Sequence, residues 1–147
     1  MAIRLGDEAP DFNARTTEGD IGFHEYLGDS WGILFSHPAD YTPVCTTELG
    51  RTAQLKEEFA KRNVKVMAVS VDPIDKHHGW VNDINETQAT TVNFPIIADE
   101  AHALIEKRYP SVNTIGKDFP PLQHRLNGSQ LGLDYFICLR NLPGDHA

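Results

Sequence analysis

The stretch WGILFSHPADYTPVCTTELGRTAQLKEEFAKRNVKVMAVSVD, from Trp31 to Asp72, decides the fold. It opens with Trp31 to Ser36, a short apolar run that stops before Pro38, which is the pattern of a buried strand. From Thr46 or Thr47 the period changes. Leu49, Ala53, Leu55 and Phe59 fall on or near one helical face and Glu48, Arg51, Lys56, Glu57 and Lys61 on the other, until Asn63 closes the helix. Val64 to Asp72 is β-branched and apolar and is bounded by Asp72-Pro73, so it reads as a second strand. Strand, helix and strand in this order make a right-handed parallel crossover, and the class is α/β.

Upstream, Gly6 to Leu27 is rich in turn formers and reads as extended pieces joined by turns. Downstream, a helix is expected over Asp75 to Ile84 and a short strand over Phe94 to Ala98, with Pro95 at its edge or start. Leu133 to Leu139 is the most strand-like late run. The expected architecture is a central mixed sheet flanked by helices. No internal repeat or long Pro/Gly/Ser linker divides the chain, so residues 1–147 are expected to form a single domain. A chain of this size hides roughly two-thirds of its unfolded surface and needs no disulfide or metal to build a core.

With 13 Lys+Arg against 21 Asp+Glu the net charge is −8, which repels nucleic acid and anionic lipid. The short basic groups Lys61-Arg62 and Lys107-Arg108 do not reverse this. No stretch approaches the roughly 18 apolar residues of a membrane span. Two cysteines, and an opening MAIRLGDEAPDF without an apolar core, favour a reducing, cytoplasmic setting. Seven histidines raise the question of a metal, but His77 and His78 are adjacent and none shows the spacing that turns two ligands onto one ion, so they read as solvated surface residues.

The segment from Ser36 to Leu49 places Cys45 in the first turn of a helix that follows a buried strand. Open backbone N–H groups and the positive end of the helix dipole favour an anion there, and so the thiolate. Thr42, three residues upstream, is close enough to donate to that sulfur or to accept from a bound substrate. Pro38 and Pro43 fix φ on both sides of the loop. The competing reading is a small buried core thiol.

Pro38, Thr42 and Cys45 form the pattern P-x-x-x-T-x-x-C, and the longer text HPADYTPVCTTELGR from His37 to Arg51 resembles the one-cysteine (peroxiredoxin-6-type) branch of the peroxiredoxins. The resemblance runs from about Leu5 to Asp99 and includes GDEAPDF, FAKRNVK and FPII. It implies a thioredoxin-like fold and a thiol-dependent peroxidase acting on hydrogen peroxide and organic hydroperoxides, an antioxidant enzyme that needs no metal or organic cofactor. Cys45 would attack a peroxide oxygen and become a sulfenic acid, with Thr42 and the Cys45 N–H binding the peroxide. His37 matches the histidine that precedes the proline in this branch and would lie near the sulfur, or it simply caps the strand. Glu48 matches the family's T-T-E-L, or is a carboxylate suited to a first helical turn.

After Asp99 the text departs from the family. The arginine that the family carries on a late strand has two candidates here: Arg125, which keeps the approximate spacing, and Arg140, which follows the strand-like run. Cys138 lies in an apolar run and reads as a buried, inert thiol, so an external thiol is expected to reduce Cys45. Gly28 to Gly32 matches G-x-S-x-G with His24 just before it, and Asp134 is the available acid. A hydrolase elbow joins strand to helix, whereas Ser30 enters a strand, so the motif reads as a turn. The chain is shorter than the roughly 220 residues usual in the branch, so the C-terminal region that supports its dimers is expected to be missing, and a homodimer is the assembly considered. The alternative function is a catalytically impaired, truncated binding fragment.

Overall fold

The computed structural model describes residues 9–101, Leu104 and the backbone of 135–140. In chain order the elements are β1 (Asn13–Thr16), β2 (Gly19–Gly22), α1 (Phe23–Leu27), β3 (Trp31–Ser36), α2 (Pro43–Gln54), α3 (Lys56–Lys61), β4 (Val64–Ser70), α4 (Ile74–Thr87), β5 (Ile96–Ala98) and β6 (Tyr135–Arg140). The strands form one sheet in the order β2-β1-β5-β4-β3-β6. Its centre is parallel, β3 with β4 and β4 with β5, while β1 and β6 join antiparallel on either side. This is the expected mixed sheet flanked by helices.

The decisive crossover is present, with register running from Trp31 opposite Val64 to Ser36 opposite Val69. Its helix differs from expectation in two ways. It begins at Pro43 rather than at Thr46 or Thr47, because Pro43 occupies the first helical position, where its fixed φ suits the helix and its missing N–H costs nothing. It is also interrupted at Leu55, where the path shifts before α3, and no glycine or proline marks the break. Asn63 does close the segment, in the left-handed conformation at φ 54° that asparagine tolerates. Its side chain then ties the turn together, donating to the Asp29 carbonyl and accepting from the Ser30 hydroxyl at 2.8 Å.

The turn-rich N-terminal stretch yields β1 and β2 as extended pieces but also the short helix α1, which was not expected. Its last residue, Leu27, packs so closely on β3 that a Cβ at Gly32 would lie 2.7 Å from Leu27 Cδ2, which explains a glycine inside a buried strand.

Alternation along the strands sorts the core onto the two sheet faces. Leu34, Met67, Val69 and Ile97 meet Phe12, Phe23 and Leu27 on one side. Val66, Ala68 and Ile96, with Phe35 at the margin, meet Cys45, Leu49 and Ala53 of α2 and Trp80 and Ile84 of α4 on the other. The loop of residues 37–42, between β3 and α2, therefore opens onto the second face.

Candidate active site

Local chemistry aims the loop. Tyr41 is held at φ 63°, an uncommon value for a residue with a Cβ, and reverses the chain just before Thr42. Thr42 is extended (φ −74°, ψ 135°) and serves as the N-cap position of α2, and the first helical bond runs from Thr46 N to Thr42 O at 2.9 Å. Cys45 is consequently the third helical residue, within the turn whose N–H groups have no helical acceptor. That position favours an anion on its side chain. Its thiol is fully buried, in the cluster that includes Leu49, Val66, Ala68, Trp80 and Ile96. The Thr42 hydroxyl donates to the Ala39 carbonyl at 3.1 Å. With its proton so engaged, the oxygen offers lone pairs to a neighbour, so of the two roles considered for it the geometry favours accepting.

Beside this turn lies a buried polar network. His37 Nε2 is 2.8 Å from Asp40 Oδ1, and His77 Nδ1 is 2.5 Å from Asp40 Oδ2. His77 Nε2 faces the Ile97 carbonyl at 3.1 Å, and the Ser70 hydroxyl reaches Asp40 Oδ1 at 3.4 Å. Burial alone would raise the Asp40 carboxyl, but hydrogen bonds from His37 and His77, with their positive charge, override it and bring the pKa down to about 2. The Asp40 N–H donates to Asp72, whose other oxygen takes Lys76. The His37 ring packs on Trp80 with centroids 4.8 Å apart, and the Trp80 indole donates to Thr46 Oγ1 at 2.9 Å. Network and cysteine turn are thus bound into one unit.

Of the residues expected at the site, the structure brings Thr42, Cys45 and His37 to one end of the sheet, with Pro38 exposed in the connecting loop. Arg125 lies outside the described residues, as does Asp134. Arg140 is in register with Trp31, at the far end of β3 from the loop, about 17 Å along the strand from Ser36 at the usual rise per residue. Tyr135 takes the position opposite Ser36, and Cys138 pairs with Ile33 in mid-strand. Because α2 starts early, Glu48 falls in its second turn, so the first-turn reading of that carboxylate does not hold. Ser30 opens into β3, with its hydroxyl on Asn63, while His24 Nε2 bonds the Ala9 carbonyl, which fits a turn better than a hydrolase elbow.

The reading of His77 as a solvated histidine is overturned: it is fully buried. Its spacing with Trp80 and Ile84 is that of one helical face, and this was the available signal. Asp40 was passed over because an aspartate in a Pro-rich loop ordinarily caps or turns the chain.

A family model described as the AhpC/TSA family matches residues 5–116. Peroxiredoxin-6 of Mus musculus is 61% identical over 106 residues, which are 69% of this chain and 47% of that protein. The human peroxiredoxin-6 is 59% identical over the same shares. Among solved structures, a yeast mitochondrial 1-Cys peroxiredoxin superposes with a TM-score of 0.64 at 55% identity, covering 66% of this chain and 46% of that one. A cysteine-to-serine variant of peroxiredoxin 6 of Arenicola marina gives 0.69 at 47% identity, covering 72% and 49%. The chain spans about half the length of the relatives it matches. With the signature around Cys45 at the start of α2 and the family match extending over most of its length, the chain belongs to the AhpC/TSA family.

Proposed function

We propose that the chain is a thiol-dependent peroxidase that reduces hydrogen peroxide and organic hydroperoxides through a sulfenic acid at Cys45. The observation that carries this reading is the placement of a buried thiol at the third residue of α2, one turn from the Thr42 oxygen. The thiolate attacks one peroxide oxygen, the S–O bond forms as O–O breaks, and water or an alcohol leaves. Thr42 Oγ accepts from the peroxide and the Cys45 N–H donates to it, while Pro38 shapes the loop and His37 contributes a buried imidazole. Arg125, beyond the described residues, is the cation assigned to the thiolate. The register of β6 does not favour Arg140 for that part.

An external thiol then returns Cys45 to the reduced state. This is in keeping with the yeast relative, whose structure is described in terms of thiol resolution by glutathione and thioredoxin systems. The register of β6, with Cys138 opposite Ile33 in mid-strand, supports reduction by an external thiol. The chemistry suits a reducing, cytoplasmic setting and an antioxidant role, and a homodimer is the assembly we infer. No described helix is long and apolar enough to cross a membrane.

The test is stopped-flow consumption of hydrogen peroxide by the reduced protein, with intact mass before and after. Rapid gain of one oxygen, located on Cys45, supports the peroxidase. A thiol that stays unmodified favours the impaired binding fragment.

A further inference from the structure

Each threonine of α2 returns its hydroxyl to the carbonyl four residues back: Thr46 to Thr42 at 2.9 Å, Thr47 to Pro43 at 3.1 Å and Thr52 to Glu48 at 2.9 Å. Such a bond is a common local habit that, if anything, loosens a helix slightly. Thr46 is set apart by its burial and by a second bond, since its oxygen also accepts from the indole N–H of Trp80, on α4, at 2.9 Å. Trp80 is fully buried, and a buried indole N–H needs an acceptor. The Thr46 hydroxyl is thereby left with one orientation, a lone pair toward α4 and its proton on the Thr42 carbonyl. That carbonyl also takes the Thr46 N–H at 2.9 Å, so one residue engages both of its lone pairs.

The atoms held in this way span the reactive turn. Thr42 and Cys45 lie between two points where α4 meets the segment. Before them is Tyr41, whose hydroxyl sits so close to Gly79 that a Cβ there would overlap it; after them is Thr46, on Trp80. Further along, a Cβ at Gly50 would lie 2.5 Å from Gln88 Cγ, and Gln54 donates to the Gln88 carbonyl at 3.1 Å. Those contacts fasten the body of α2 to the C-terminal end of α4 without the Thr46 hydroxyl. Loss of that hydroxyl therefore frees the first turn and leaves the helix docked.

We propose that Thr46 and Trp80 are positioning residues for the reaction at Cys45: the indole orients the Thr46 hydroxyl on the Thr42 carbonyl, and this latch locks the Thr42–Cys45 turn in the closed geometry that peroxide attack requires. The proposal rests on the peroxidase reading of Cys45. With the latch closed, the Thr42 oxygen and the Cys45 N–H keep their places at the buried sulfur. With it broken, the turn opens locally, and the same sulfur becomes accessible to reagents larger than a peroxide while losing its alignment for peroxide itself. The two effects run in opposite directions, which a general loosening of the fold does not produce.

The experiment measures two rates on the reduced full chain: oxidation of Cys45 by hydrogen peroxide in stopped flow, and labelling of Cys45 by 5,5′-dithiobis(2-nitrobenzoate), assigned by peptide mass, with and without urea below the unfolding transition. Thr46→Val, which keeps the shape and removes the hydroxyl, is expected to speed labelling by about 10-fold, the worth of roughly one hydrogen bond. It should slow oxidation by about 10-fold. Trp80→Phe, which removes the indole N–H, should act in the same directions, and the double variant should go little beyond either single one, because both break the same latch. Thr46→Ser should restore both rates, and Thr47→Val, which loses the equivalent bond at an exposed position, should leave both at the parent's values. Trp80→Phe and the double variant carry the test if Thr46→Val, with its stranded indole, does not fold. Parental labelling in both single variants, effects that multiply in the double variant, or faster labelling that climbs with urea as global unfolding does would each overturn the proposal. A parent Cys45 inert to peroxide would instead sink the peroxidase reading, and the labelling cycle would still decide the latch.

Discussion

The two faces of the sheet are built from the same strands and hold different kinds of core. One face is closed by carbon: Phe12 and Phe23 stack with centroids 4.6 Å apart over Leu27, Leu34, Met67 and Val69. The other places Cys45 among Leu49, Trp80 and Ile96, and seals a carboxylate and two imidazoles beside it. Apolar burial contributes to stability in proportion to area and asks little of geometry. A buried charge is tolerated only where each oxygen and nitrogen meets its partner, so the second face is restricted in sequence and shape while the first is restricted mainly in volume. Stability and chemistry are to that extent separable in this chain.

The strongest test of the separation is Cys45→Ser, which should abolish peroxide reduction while leaving the urea midpoint close to the parent's. Residual turnover in that variant would mean that the reactive thiol lies elsewhere. Phe23→Ala makes the opposite case. It should cost about 3–5 kcal/mol of stability by opening a cavity on the apolar face, while the rate constant for Cys45 oxidation, measured where the variant is folded, stays as it was. Loss of rate at full folding would join the two faces after all. Thr42→Val should keep the fold and slow peroxide attack by about 100-fold, the usual cost of one hydrogen bond made to the reacting atoms. An unchanged rate constant would make Thr42 structural.

Acid titration separates the faces more gently. The Asp40 pKa lies near 2 in the folded chain against an ordinary 3.8. A carboxyl depressed by folding contributes stability that is complete above its ordinary pKa and fades as pH falls toward the folded value, here between about 4 and 2. The contribution at stake is on the order of 2 kcal/mol. Urea midpoints measured from pH 5 down to 2.5 should therefore fall more steeply in the parent than in Asp40→Asn, and parallel curves would count against the network. The smallest effect is expected of Arg140→Ala. Since Arg140 pairs with Trp31 at the far end of β3, the oxidation rate and the Cys45 thiolate titration should match the parent. A raised thiol pKa would return Arg140 to the site.

Much of this was legible before any coordinates. Trp31 to Ser36 and the run from Val64 announce themselves as strands by apolar, β-branched content, and Asn63 marks the turn between helix and strand. The signature around Cys45 marked the segment that the structure shows as the start of α2. The start of α2 was misplaced because Pro43 was taken as a loop constraint when it also opens a helix. The break at Leu55 had no punctuation to betray it.

His77 shows where reading along the chain stops. Beside His78 it looks like half of a polar pair, yet the helical turn sends one ring inward and the other to solvent. Its partner Asp40 is 37 residues away in sequence, and they meet only because α4 packs over the face of β4 and β5 from which the loop of residues 37–42 emerges.

By itself, then, the sequence determined the crossover and a helix following the loop that leads to Cys45, which rest on local periodicity and short-range backbone chemistry, and the family, which rests on the resemblance of the text from His37 to Arg51. The tertiary structure alone decided that Asp40 gathers two histidines, that a ring nitrogen of His37 is buried without a partner among the described residues, and that Arg140 lies opposite Trp31. Those depend on register and on helix packing across the sheet, which bring together groups whose separation along the chain carries no signal of their contact.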